Sequence, residues 1–164
     1  MTRLFVLGAA SLAAWFAACP AQAEDAAIKI AEAFCAARVA DDEAATLNLM
    51  TPSLRQAVQD AQARNQVLAD ANPTEKPPFG DGIPYQAFPD AAPICKAGDT
   101  GELGGQTTIQ VRYEFPDEPS GSWTDRLVLA DGDALIDDVV YQQFPTDSQL
   151  YGLRRGLREA FDQY

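Results

Sequence analysis

Thr108-Ile109-Gln110-Val111-Arg112-Tyr113-Glu114-Phe115 alternates polar with apolar side chains along its whole length. A period of two puts Ile109, Val111, Tyr113 and Phe115 on one face, which predicts a half-buried antiparallel strand. A turn is expected at residues 116–121. Residues 123–130 and 134–142 read as two further strands, because Asp131-Gly132 between apolar runs is a strong hairpin signal. The predicted layer is therefore an antiparallel meander over residues 106–142.

Upstream of this layer the period changes. Across residues 26–39, Ile28, Ile30, Ala31, Phe34, Cys35 and Val39 fall mostly on a 3.6-residue repeat, which predicts an amphipathic helix ending at Asp41-Asp42-Glu43. A short helix should start near Asp42 or Ala44 and break at Thr51. Thr51 then caps a new helix with Pro52 at its first position, where a missing N–H costs nothing. Leu54, Ala57, Val58, Ala61, Val67 and Leu68 continue it at helical spacing.

Between the helices and the strands, residues 72–105 hold Pro73, Pro77, Pro78, Pro84, Pro89 and Pro93 together with Gly80, Gly82, Gly98, Gly101, Gly104 and Gly105. Such punctuation predicts a long surface insertion with little regular structure, apart from a short strand at residues 83–88. Beyond the meander, Asp147 or Ser148 is placed to cap a last helix. Leu150, Leu153, Leu157, Ala160 and Phe161 share its apolar face, and Arg154, Arg155 and Arg158 lie largely off it. The order is α+β: N-terminal helices in the concave face of a curved antiparallel sheet, with a C-terminal helix.

The chain opens with Arg3, an apolar run from Leu4 to Ala18, and the small-residue triplet Ala21-Gln22-Ala23. That order predicts a signal peptide over residues 1–23 and one exported domain, periplasmic or extracellular, over residues 24–164. The apolar run is shorter than the about 20 residues of a spanning helix, so no membrane span is expected. Phe16-Ala17-Ala18-Cys19 loosely resembles a lipobox, which would instead make Cys19 an acylated first residue. Lys and Arg number 12 against 24 Asp and Glu, a net charge of −12, and loss of residues 1–23 removes Arg3 and no acid. Nucleic acid is therefore an unfavourable partner. Export leaves Cys35 and Cys95, which an oxidising compartment should join. No C-x-x-C is present to make them a redox pair.

Phe34-Cys35-Ala36-Ala37-Arg38-Val39-Ala40-Asp41-Asp42, with Leu47 and Met50 after it, resembles the opening helix and acidic elbow of the nuclear transport factor 2-like superfamily. Trp123-Thr124-Asp125-Arg126-Leu127-Val128-Leu129 and Ile136-Asp137-Asp138-Val139-Val140-Tyr141 are similar to the paired final strands of its small exported bacterial members. Residues 150–161 resemble their terminal helix. The resemblance implies a cystatin-like α+β cone with a cavity between sheet and helix. Within that superfamily the cavity serves isomerases, dehydratases and cyclases as well as binding modules, so fold alone does not assign an activity. The Pro/Gly-rich insertion is expected to cover or fill the cavity.

The sequence contains no histidine, which removes Ser-His-Asp and Cys-His catalysis and His-ligated metal sites. Acid–base work would fall to carboxylates, tyrosines, lysines or arginines. A two-residue turn at Asp131-Gly132 would pair Arg126 with Asp137 on one face and Asp125 with Asp138 on the other. The second pair would share its face with Trp123, Leu127, Leu129, Ile136 and Val140, making Asp125 and Asp138 the candidate catalytic groups. A longer turn would shift that register, or both acids would sit at the wet end of the sheet and bond backbone groups. Asp131, Asp133 and Asp137 are only superficially a calcium loop, since Leu135 stands at a ligand position, and no metal or other cofactor is expected. Tyr85, Tyr113, Trp123 and Tyr141, with Phe79 and Phe88, either line a small-molecule pocket anchored by Arg112 or Arg126 or belong to the core. These residues suit a non-catalytic domain that binds a small molecule or an envelope protein; a cofactor-free lyase or isomerase and a structural envelope protein are the alternatives. Mass spectrometry of the exported protein should show Glu24 as its first residue, and an acylated Cys19 would contradict the free-export reading.

Overall fold

The computed structural model describes residues 20–88, 90–117, 121–130, 132, 135–142 and 151–162. Expectations for Cys19 and the rest of residues 1–19, for Pro89, Asp131, Asp133, Asp147, Ser148 and Leu150, and for the side chains of residues 20–23 lie outside the described residues.

Helix α1 (Pro20–Val39) starts ahead of the expected residue 26. Its Ala27, Ala31, Phe34 and Cys35 are buried. Val39, expected on that face, is instead 47% exposed. The spacing Ala27, Ala31, Phe34 continues to Arg38, so the helix turns Arg38 inward and Val39 outward. Helix α2 (Glu43–Asn48) is capped by Asp42, whose carboxylate accepts from the Ala45 N–H at 2.9 Å. Helix α3 (Pro52–Ala71) has Pro52 in its first turn and Thr51 as its cap, accepting from the Leu54 N–H at 3.2 Å. The Thr51 cap is the one expected, and each cap satisfies an N–H that a helix start leaves open.

The sheet has four antiparallel strands in the order β1 (Ile94–Leu103), β2 (Gln106–Glu114), β3 (Ser122–Leu129), β4 (Ile136–Tyr141). It curves, and α1 packs against β1 and β2. Strand β1 corrects the expectation of an irregular segment up to residue 105. Gly104 and Gly105 take φ of 60° and 89°, and this tight turn brings Leu103 opposite Gln106. Gly98 lies at an irregularity in the pairing rather than at a strand end. Residues 83–88, by contrast, form bends and no strand.

The register of the last hairpin is also corrected. Its closing hydrogen bond runs from the Ala130 N–H to the Leu135 carbonyl at 2.9 Å, so the connection is longer than two residues. Asp125 therefore stands opposite Tyr141, Arg126 opposite Val140 and Val128 opposite Asp138, with a bulge before Leu129 meets Ile136. Asp125 shares the buried inner face with Leu127 and Val139, whereas Asp138 lies on the other face.

The outer edge of β4 is closed by two short segments. Ile136 exchanges backbone hydrogen bonds with Leu49 and Thr51, both at 2.8 Å, and the Tyr141 N–H donates to the Tyr151 carbonyl at 3.0 Å. Gly152 then crosses so close to β4 that a Cβ there would stand 2.7 Å from the Val139 carbonyl oxygen. Helix α4 (Leu153–Glu159) follows, burying Leu153 and Leu157. Asp137, expected opposite Arg126, instead pairs with Arg154 at 2.6 Å and accepts from the Thr51 hydroxyl at 2.9 Å. The core between helices and sheet includes Phe34, Met50, Leu54, Ile109, Leu127 and Ile136, all without solvent exposure. Among the described residues no helix is long and apolar enough to cross a membrane.

Cys35 on α1 and Cys95 on β1 form the expected disulfide, across a sequence separation of 60. The closure removes conformational freedom from the unfolded chain, worth about 4 kcal/mol in the chain-entropy treatment. Replacing both cysteines by serine should lower the unfolding free energy by about that amount, measured by urea denaturation, without changing the far-ultraviolet circular dichroism of the folded state.

Candidate functional site

The inner face of β2, β3 and β4 carries Tyr113, Asp125 and Tyr141 at one end of the sheet. Asp125 lies directly across from Tyr141, and Tyr113 across from Trp123. Asp125 and Tyr113 are entirely buried and Tyr141 nearly so. Arg38, in the last turn of α1, approaches from the helix side.

Residues 83–88 close over this face. The Ala87 N–H donates to Asp125 Oδ2 at 2.9 Å, and the Tyr141 hydroxyl donates to the Pro84 carbonyl. Tyr85 turns inward, its hydroxyl donating to Glu43 Oε1 at 3.0 Å. The Arg38 guanidinium sits over the Tyr85 ring, 5.1 Å from its centre, and Nη2 donates to Gln86 Oε1 at 3.5 Å. Phe88 stacks on Trp123 and meets Phe115 edge-on, each with centroids 4.9 Å apart. The insertion thus covers the sheet face, as expected. Between Arg38 and the segment running from Pro78 to Phe88 there remains a cleft of about 290 Å³.

Beneath this cover, hydrogen bonding is incomplete. Among the described residues the buried side-chain atoms without a partner are Arg38 Nε, Tyr113 Oη and Asp125 Oδ1. These groups act on one another: the Tyr113 hydroxyl experiences the negative charge of Asp125 and the positive charge of Arg38. Leaving a buried polar group unpaired costs about 1–3 kcal/mol, so three in one place call for a ligand or ordered water to complete them.

Burial pushes the Asp125 carboxyl up to about 6, partly offset by the N–H dipoles of Ala87 and Gln142. Burial likewise drives Tyr113 upward, with the neighbouring Asp125 charge adding to it. Tyr141 rises for the same two reasons, in that order. The tyrosines therefore keep their protons and can donate hydrogen bonds, while Asp125 changes charge within the physiological range.

The other candidates go elsewhere. Asp138 Oδ1 accepts from the Val139 N–H at 2.8 Å and from the Arg154 N–H at 3.0 Å. It thereby supplies the start of α4 with the acceptor that Gly152 lacks. Burial raises its pKa, against the pull of the Arg154 and Val139 N–H groups and the Arg154 charge. Arg112 is exposed and donates to Ser122 Oγ at 2.9 Å, and Arg126 donates to Thr108 Oγ1 at 2.9 Å. Both lie on the outer face, so neither anchors a ligand against Asp125. Phe79 packs edge-on against Phe161 at 5.4 Å and also lines the cleft beside Arg38. Arg38 was absent from the sequence-derived set, although its spacing from Phe34 marks it as inward-facing.

Asp125 is more easily protonated folded than unfolded, so the folded state binds the extra proton between the ordinary carboxyl range and about 6. Its contribution is neutral at low pH, turns unfavourable as pH rises through that window, and is constant above it. Asp125→Asn should therefore raise the unfolding free energy at pH 8 by up to about 3 kcal/mol and leave it nearly unchanged at pH 4, measured by urea denaturation. No described protein family matches the chain, and neither a curated protein nor a solved structure matches it.

Proposed function

We propose that the protein is an exported, non-catalytic binding domain of the nuclear transport factor 2-like type, taking a small polar ligand at the Arg38–Tyr113–Asp125 cluster. The observation that carries this reading is the convergence of three unpartnered buried polar atoms under one covering segment. Together they offer a fixed cation, a hydroxyl and a carboxyl to a molecule with both donors and acceptors. The Cys35–Cys95 bond and the Ala21-Gln22-Ala23 triplet support export. A small molecule fits better than a protein partner, because the large apolar side chains exposed among the described residues are Val39 and Val67.

A second reading rests on the same carboxyl. A group titrating near 6 in a water-poor site is suited to proton abstraction, which favours a cofactor-free lyase or isomerase with Asp125 as base. Asp138, tied to the start of α4, has no part in it.

Trp123 is the sole tryptophan of residues 24–164 and stacks on Phe88, so its emission reports displacement of the covering segment. Titration with amino acids, sugars and hydroxy acids should produce a saturable emission change with at least one class. Arg38→Gln and Tyr113→Phe should each weaken that binding tenfold or more. Turnover of the bound compound that Asp125→Asn abolishes would favour the lyase or isomerase. Absence of saturable binding across all three classes would favour a structural envelope role.

A further inference from the structure

Helices α3 and α4 enclose between them a groove of about 380 Å³. Ala57 and Ala61 from α3 and Leu157 and Phe161 from the α4 side line it, giving an apolar floor. Arg64, Arg154 and Arg158 also line it, together with Asp60. In a chain with twice as many acids as bases, this is an unusual concentration of guanidinium groups. Their local partners differ. Arg154 is committed to Asp137 at 2.6 Å and to Ser53 Oγ at 2.8 Å. Arg64 lies over the Phe161 ring, 4.5 Å from its centre, and donates to the Phe161 carbonyl at 3.4 Å. Arg158 is exposed, and among the described residues neither it nor Arg64 has an ion pair, Asp60 instead accepting from Gln56 at 2.8 Å.

Two unpaired guanidinium groups above an apolar floor match a particular chemistry. A guanidinium presents its N–H donors in a planar fork that fits a carboxylate in two-point contact. The apolar floor would then cover a short hydrocarbon tail, whose burial contributes about 0.8 kcal/mol per methylene. Arg64 is already oriented by its seat on Phe161, which reduces the entropy lost on binding. We infer that the α3–α4 groove is a second binding site, separate from the Arg38–Tyr113–Asp125 cluster, for a carboxylate carried on a medium-length apolar tail. Arg64 and Arg158 hold the carboxylate; Ala57, Ala61, Leu157 and Phe161 receive the tail.

The test is isothermal titration of the protein with octanoate at low ionic strength, alongside octanol and acetate. Octanoate should bind saturably and at least tenfold more tightly than octanol, which lacks the charge, or acetate, which lacks the tail. The double substitution Arg64→Gln with Arg158→Gln should weaken octanoate at least tenfold, whereas Arg112→Gln on the far face should leave it unchanged. Both variants remove exposed charge and are checked for folding by circular dichroism; if the double variant is unfolded, Arg158→Glu alone should show the loss. Equal binding of octanol, equal binding of acetate, undiminished octanoate binding by the folded double or single variant, or no saturable binding of octanoate would each overturn the inference.

Discussion

A four-stranded sheet that curls around a single helix leaves one end of its interior open, and the side chains exposed there must either meet water or be covered. In this protein the covering is done by backbone polar groups of residues 83–88. They reach the sheet at two points, the Ala87 N–H on Asp125 and the Pro84 carbonyl on Tyr141. The first contact has the larger consequence. It holds a carboxyl group inside an otherwise apolar layer with one oxygen satisfied and the other open, a state that water exclusion makes costly and chemically responsive.

The disulfide sets the conditions for this arrangement. Cys35 lies one turn before Arg38 on α1, and Cys95 near the start of β1. Joining them fixes the helix against the sheet and returns the chain to the helix at the end of the Pro/Gly-rich connection. Within that connection, residues 83–88 lie over the inner face, bonded to it at Asp125 and Tyr141. Tyr85 then enters between Arg38 and Glu43, making its ring a platform for the guanidinium and its hydroxyl a donor to the carboxylate. The same insertion that reads as an irregular loop thus supplies the roof of the candidate site.

Much of the architecture was legible in local patterns. Period-two alternation located β2, Asp-Gly located the last hairpin, and Thr51-Pro52 located the start of α3, because each depends on steric or capping preferences confined to a few residues. Strand β1 was hidden because Gly98 and Gly101 interrupt its alternation, although Gly104-Gly105 was a usable turn signal. The pairing of Asp125 with Asp138 failed for a related reason: the closing bond at Ala130 and Leu135 lengthens the connection, and an odd shift sends one carboxylate to the opposite face. Tyr113 and Tyr141 do gather beside Asp125 and Tyr85 lies against Arg38 and Glu43, while Arg112 and Arg126 stay on the outer face. The cation that acts on this group is Arg38, whose position on the Ala27, Ala31, Phe34 stripe was visible but whose approach to the sheet depends on tertiary packing.

The burial of Asp125 beneath residues 83–88 is most directly tested by following its side-chain carboxyl carbon through a pH titration by nuclear magnetic resonance. A midpoint near 6 is predicted, well above the about 3.9 of an unperturbed aspartate. A midpoint at or below 4 would contradict it, because it would mean that the carboxyl is hydrated or fully hydrogen-bonded and that the covering segment does not seal the site.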